Sequence, residues 1–256
     1  KEKALEFREL ADKHKVQIHS HIFGDSIDWA VENFGRETVD KVLCPDVVIA
    51  HGNGLKQSEV DVIAGNKASV ASAPSTGENL WYGYAPLVEL IEAGANCTIT
   101  TDGSAPRFSF DLFKDIARAM WHQWIRFETQ AVFPGGKALR MVTIDAAKAL
   151  QMDHETGSLE AGKKADIILV DLNKPHLTPT TYVPHQLCFY TNGNDVDTTI
   201  IDGKVLMENT EVLSVDAQEV MDLARVEAQK AIDLIDLDEF RPNDRVFWHG
   251  SRYEEV

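Results

Sequence analysis

The chain has 256 residues, 44% of them hydrophobic and 26% charged, an apolar content that suits a buried core and is too rich for a disordered segment. Its formal charge of -16, from 25 Lys and Arg against 41 Asp and Glu, argues against a nucleic-acid surface, because phosphate binding needs clustered cations; small molecules are the expected partners. No apolar run approaches the roughly 18 to 20 residues of a membrane span, and the start Lys1-Glu-Lys has no apolar segment behind it, so no targeting or anchoring signal is read. Cys44, Cys97 and Cys188 lie far apart without CxxC spacing, which argues against a disulfide framework and fits a cytoplasmic protein.

Residues 1–14 carry Ala4, Leu5, Leu10 and Ala11 among charges at helical spacing, and residues 16–21 read as a strand. The spacing then predicts a helix over 27–43, a strand over 47–50, a helix over 57–64, a strand over 69–73, a helix over 86–93, a strand over 97–101 and a helix over 110–124. Strands alternating with helices are the βα repeat of a parallel sheet. After about residue 130 the pattern changes: a short helix over 138–150, a strand over 167–170, and two further runs flanking Asp202-Gly203, a strong hairpin signal. A helix over 216–235 closes the pattern. The expected division is a barrel-like part over 1–150, a small β-rich part over 151–215, and a helix and tail over 216–256. A closed (β/α)8 barrel needs eight strands and typically about 250 residues. Only half of one is visible, so the chain reads as an N-terminally truncated or incompletely represented α/β barrel.

Three of the strands end on a residue suited to metal or proton chemistry, namely His21, His51 and Asp102. Catalytic residues of an α/β barrel stand at that C-terminal edge. His19 and His21, two apart, face the same way if the strand stays regular. An HxH pair also arises by coincidence, and His51, before Gly52-Asn-Gly, is equally explained as a histidine hydrogen-bonded at a strand end. Asp102 follows a buried strand, where a carboxylate is costly unless it binds a metal, accepts hydrogen bonds or caps the next segment. Two imidazoles and a carboxylate suit Zn²⁺ or Fe²⁺, which lowers the pKa of a bound water to about 7. Ser75, Thr76 and Asn79 are candidate substrate contacts or turn residues. Trp81, Tyr82 and Tyr84 either line a pocket for a flat ring or pack beneath the loop, and Arg107 and Phe108 stand within reach of a substrate from the loop after Asp102. His122, His154, His176, His185 and His249 lie off the strand ends and are taken as structural or surface residues.

In order, Ile18-His-Ser-His, Ile49-Ala-His-Gly, Ala73-Pro-Ser, Ala85-Pro-Leu-Val-Glu-Leu-Ile-Glu-Ala-Gly, Thr100-Thr-Asp-Gly and Gly157-Ser-Leu-Glu-Ala-Gly-Lys-Lys-Ala-Asp-Ile-Ile-Leu-Val-Asp resemble the metal-dependent amidohydrolase superfamily. The likeness is to the branch with S-adenosylhomocysteine and methylthioadenosine deaminases, cytosine deaminase-like enzymes and triazine chlorohydrolases, and covers about residues 16 to 215. It implies the C-terminal half of a (β/α)8 barrel followed by part of an accessory β-sandwich, one divalent metal, His21 and Asp102 as ligands, and His51 as the catalytic histidine. It places His19-Ser-His21 on the barrel's fifth strand, so the first-strand HxH is absent. The deaminases carry a glutamate three residues after the fifth-strand histidine; this chain has Gly24 there, followed by Asp25, a candidate substitute. The implied reaction is attack of metal-bound hydroxide on a C–N or C–Cl carbon of an N-heterocycle, or on an amide carbon, with Asp102 taking the water's proton. The alternative is a catalytically silent binding or assembly module. An open half-barrel edge also points to self-association.

Overall fold

The computed structural model describes residues 1–80, 82–103 and 109–234. After helix α1 (Glu2–His14), four strands run parallel in chain order: β1 (Ile18–Ile22), β2 (Val47–His51), β3 (Ser69–Ser72) and β4 (Asn96–Ile99). Parallel pairing requires a crossover between neighbours, and helices supply it. These are α2 (Ser26–Phe34) and α3 (Arg36–Val42) after β1, α4 (Gln57–Asn66) after β2, α5 (Pro74–Leu80) and α6 (Leu87–Glu92) after β3, and α7 (Leu112–Phe127) after β4. The register aligns Ile49 with Val70 and Val70 with Cys97, so one face of the sheet is apolar and buries against Val60, Ile63, Leu87, Leu90 and Ile116 of the helices. The opposite face carries His19, His21, Ala50, Ala71 and Thr98. Both histidines of the HxH pair therefore turn away from the helical layer.

Helices α8 (Gly135–Met141) and α9 (Ile144–Ala149) lie against β4, where Thr98 donates to the Met141 carbonyl (2.7 Å) and Asn96 to the Asp145 carbonyl (3.0 Å). The second sheet is antiparallel: β5 (Ile167–Val170), β6 (Val196–Ile201), β7 (Lys204–Glu208) and β8 (Glu211–Val212), with α10 (Val183–Phe189) between β5 and β6, and α11 (Ala217–Ile232) after β8. Asp202 and Gly203 connect β6 to β7 with φ of 49° and 77°, the left-handed pair that a two-residue hairpin turn requires. Among the described residues no helix is long and apolar enough to cross a membrane. All three cysteines are free thiols.

The structure departs from the periodicity in three places. Gly35, at φ 84° and ψ 147°, divides the expected 27–43 helix into α2 and α3. Thr143, at φ -128° and ψ -103°, divides the 138–150 helix into α8 and α9. The segment Pro74-Ser-Thr-Gly-Glu, poor in helix formers, is nonetheless the start of α5. Tertiary bonds to α7 account for it: the Ser75 N–H and hydroxyl both donate to Asp115, and Glu78 accepts from Arg118 (2.9 Å) and His122 (2.8 Å).

Two contacts fix the loops beyond the strands. Glu59, fully buried near the start of α4, accepts from the backbone N–H groups of Asp25 (3.0 Å), Ile27 (2.9 Å), Asp28 (3.3 Å) and Lys56 (3.0 Å), so one carboxylate caps both α2 and α4. Gly24 donates its N–H to the Asn53 carbonyl (2.8 Å), and a Cβ on Gly24 would stand 2.0 Å from the Gly54 carbonyl oxygen. Only glycine allows the two backbones to meet this closely.

Replacing Glu59 by Ala leaves those donors buried without an acceptor. The expected loss is about 2–3 kcal/mol of unfolding free energy, measured by urea denaturation; an unchanged midpoint would contradict the capping account. His122, buried between Glu78 and Tyr84, has its pKa pushed below the ordinary histidine value by burial, against the opposing pull of Glu78. The unfolded chain then binds more protons than the folded one as pH falls below about 6.5. Stability should decline as pH drops through that value toward the lower folded pKa, and the decline should be shallower in His122→Gln, compared by denaturation across a pH series.

Candidate active site

His21 is the fourth residue of β1 and His51 the last of β2. The register pairs Ile22 with His51, so a regular strand would send His51 into the helical layer beside Ile49. Its backbone is left-handed instead, at φ 74°, and its ring meets the other face: His51 Nε2 lies 3.0 Å from His21 Nδ1. Asp102, beyond β4, is left-handed as well, at φ 67°, and its carboxylate accepts from Gly103 N–H at 2.6 Å. Left-handed non-glycine residues are uncommon, are enriched in His, Asp and Asn, and gather at functional sites.

His51 is 5% exposed, and its Nδ1 is a buried nitrogen without a hydrogen-bond partner. Burial lowers its pKa; the Asp102 charge pulls the other way, His21 adds to the lowering, and the net direction is down. The ring is therefore neutral at neutral pH and keeps a lone pair for a cation. Phe23 stacks on it (centroids 5.2 Å, 12°), and Tyr82 meets Phe23 edge-on (5.1 Å, 62°). An apolar aromatic corner thus flanks the two imidazoles.

The spacing of the two nitrogens has a simple test. Two Zn–N bonds of about 2.0–2.1 Å at a tetrahedral angle place their nitrogens about 3.3 Å apart. The observed 3.0 Å is shorter than that edge and is a hydrogen-bond distance, so as they stand the two rings pair with each other, and a cation between them would require them to part slightly. Among the described residues no group of three or more His, Cys, Asp or Glu side chains is arranged to hold a metal. What this chain shows is two adjacent imidazoles, with the Asp102 charge acting on His51.

Other candidates from the sequence stand elsewhere. His19 lies two residues before His21, exposed, in register with Val48. Two others have partners of their own. Asp25 forms an ion pair with Lys56 rather than bending over His21, because the Gly24–Gly54 contact fixes the loop and Asp25 leaves it at φ 70°. Ser75 does not face the strand ends: formation of α5 turns its buried hydroxyl onto Asp115. Asn79 is exposed in the last turn of α5. Trp81 and Arg107 lie outside the described residues. Phe23 and Glu59 were not singled out by sequence; the signals were an aromatic two residues past His21, and the Lys56-x-x-Glu59 capping spacing.

Four parallel strands in sequential order, with helices on one face and candidate ligands at their C-terminal ends, are the arrangement of half of a (β/α)8 barrel. Comparison with known proteins agrees. The model of the Amidohydrolase family matches residues 1–206. A 5'-deoxyadenosine deaminase of Methanosarcina acetivorans is 35% identical over 88% of this chain and 53% of its own length. A 5-methylthioadenosine/S-adenosylhomocysteine deaminase of Caldanaerobacter subterraneus is 32% identical over 89% of the chain and 54% of its own length. Among solved structures, a zinc-bound adenosine deaminase from Xanthomonas campestris superposes with a TM-score of 0.82 at 25% identity, covering 89% of this chain and 53% of that one. The zinc complex of an atrazine chlorohydrolase from Arthrobacter aurescens shares the fold, with a TM-score of 0.77 at 21% identity over 86% of this chain and 50% of that one. The chain spans about half the length of the curated relatives it matches. It belongs to the amidohydrolase family.

Proposed function

We propose that the protein is a metal-dependent hydrolase that replaces an amino or chloro substituent on a ring carbon of an N-heterocycle with an oxygen from water. The observation that carries this reading is the convergence of His21 Nδ1 and His51 Nε2, 3.0 Å apart at the strand ends of an amidohydrolase barrel. His21 and His51 would hold the ion, zinc or iron, with Asp102 the third candidate ligand and His19 the next imidazole on the same face. The ion would supply an acidified water at neutral pH. Asp102 would accept a proton from water, and the His51 ring is shielded on one side by Phe23. Deaminases of adenosine analogues among the relatives, and a chlorohydrolase among the structures sharing the fold, support a small heterocyclic substrate. Residues 1–150 are read as the catalytic part and 151–215 as the accessory sheet, and the scattered free thiols suit a reducing compartment.

A second reading has one observation in its favour: among the described residues no three-ligand cluster exists, so this polypeptide by itself would be catalytically silent. The two separate in one experiment. This chain is loaded with zinc and assayed for release of ammonia and chloride from substituted purines and triazines, with His21→Ala, His51→Ala and Asp102→Asn in parallel. The expected result is turnover in the native protein and a loss of about 10²–10⁴ in kcat/KM in each variant. Native rates in His51→Ala would remove His51 from the site, and a zinc-loaded protein inert toward every ring would favour the silent module.

A further inference from the structure

We infer that the outward face of α7 is a pairing surface for a second copy of this chain, with two α7 helices packing antiparallel about a two-fold axis that crosses each helix between Trp121 and Ile125. The inference is independent of the proposed hydrolytic function. α7 has two distinct faces. Ile116, Ala119, Met120 and Gln123 are buried on the side of the sheet. On the opposite side Lys114, Arg118, Trp121, Ile125 and Glu128 recur at alternating intervals of four and three residues, the spacing of a seam along which another helix lies. Trp121 is 47% and Ile125 71% exposed there. Further strands of a parallel barrel would join at the open edges of the sheet, β1 and β4, whereas this seam lies on the far side of the helical layer.

Shape and charge both favour a second copy as the occupant. Trp121 rests against Phe189 of α10 (centroids 5.8 Å), and Phe189 against Trp124 (5.0 Å), whose indole N–H donates to the Val132 carbonyl (2.9 Å). The ring is therefore held before any partner arrives, and little entropy remains to be lost on binding. Beside this ridge lies a cleft of about 410 Å³ lined by Trp121, Trp124, Ile125, Glu128, Thr129 and Gln130. A ridge and a cleft on one face are what a self-complementary two-fold contact requires. The proposed axis sets Ile125 of each copy against Trp121 of the other, and the same rotation brings Arg118 of each copy opposite Glu128 of the other. Arg118 gives its Nε to Glu78 (2.9 Å) and its Nη1 to the Lys114 carbonyl (3.1 Å), while exposed Glu128 makes no ion pair among the described residues. A partner of uniform charge would suit one end of the seam and be repelled at the other. In a chain of net charge -16, this seam, with two cations to one anion, is also where the repulsion between two copies is relieved. A single helix of 16 residues gives a contact only about 24 Å long. Such a contact suits a weak, reversible dimer rather than a permanent one.

The test is sedimentation velocity of the 256-residue chain over a concentration series, beside Ile125→Glu and Glu128→Arg, with folding of each variant checked by its urea midpoint. The expected result is a concentration-dependent dimer whose Kd rises about 30-fold or more in Ile125→Glu, the loss of a central anchor at an interface, and by a smaller factor in Glu128→Arg. A second measurement fixes the geometry: under mild oxidation, an equimolar mixture of Trp121→Cys and Ile125→Cys proteins should form a disulfide joining position 121 of one copy to position 125 of the other, in higher yield than either variant alone. A monomer throughout the series, a dimer whose Kd is unchanged by Ile125→Glu, or no excess of the mixed disulfide overturns the inference and leaves the hydrolase reading untouched.

Discussion

The carboxylate of Glu59 is the contact on which the candidate site depends. It is fully buried and gathers four backbone N–H groups from two separate loops, a concentration of charge-assisted bonds that a neutral side chain would not reproduce. Those loops leave β1 and β2, the strands that carry His21 and His51. Their separation is then set a second time by the glycine contact between positions 24 and 54. With both loops fixed, the two rings meet at 3.0 Å without needing a helix or a disulfide to hold them.

The same constraint shapes the loop after β1. A loop sutured backbone to backbone has no room for a side chain at position 24, and the carboxylate that follows is drawn outward to Lys56. The aromatic corner of Phe23 and Tyr82 keeps one side of His51 apolar.

Much of the architecture was legible in the sequence, because apolar runs of four or five residues alternating with amphipathic segments allow few alternatives to a parallel sheet. The strand ends bearing His21 and His51 followed from the same pattern, and the Asp202-Gly203 hairpin from turn chemistry, whereas β4 stops at Ile99, three residues short of Asp102. What could not be read was conformation imposed by tertiary contact. α5 forms on a helix-poor segment because Asp115, Arg118 and His122 of α7 supply its partners, which no window around Pro74 contains. Strand parity alone would have pointed His51 into the helical layer; its left-handed backbone reverses that, and no residue type announces it. Asp25 reads as a carboxylate beside a ligand, yet Lys56, remote in sequence, claims it.

The central claim is that His21 and His51 converge on one divalent ion at the strand ends. X-ray absorption at the zinc edge of the zinc-loaded protein tests it most directly. The account predicts a first shell containing at least two imidazole nitrogens at about 2.0–2.1 Å, with the imidazole outer-shell signal reduced by one ring in His51→Ala. A zinc shell of oxygens alone, or an imidazole signal unchanged by that substitution, would contradict it.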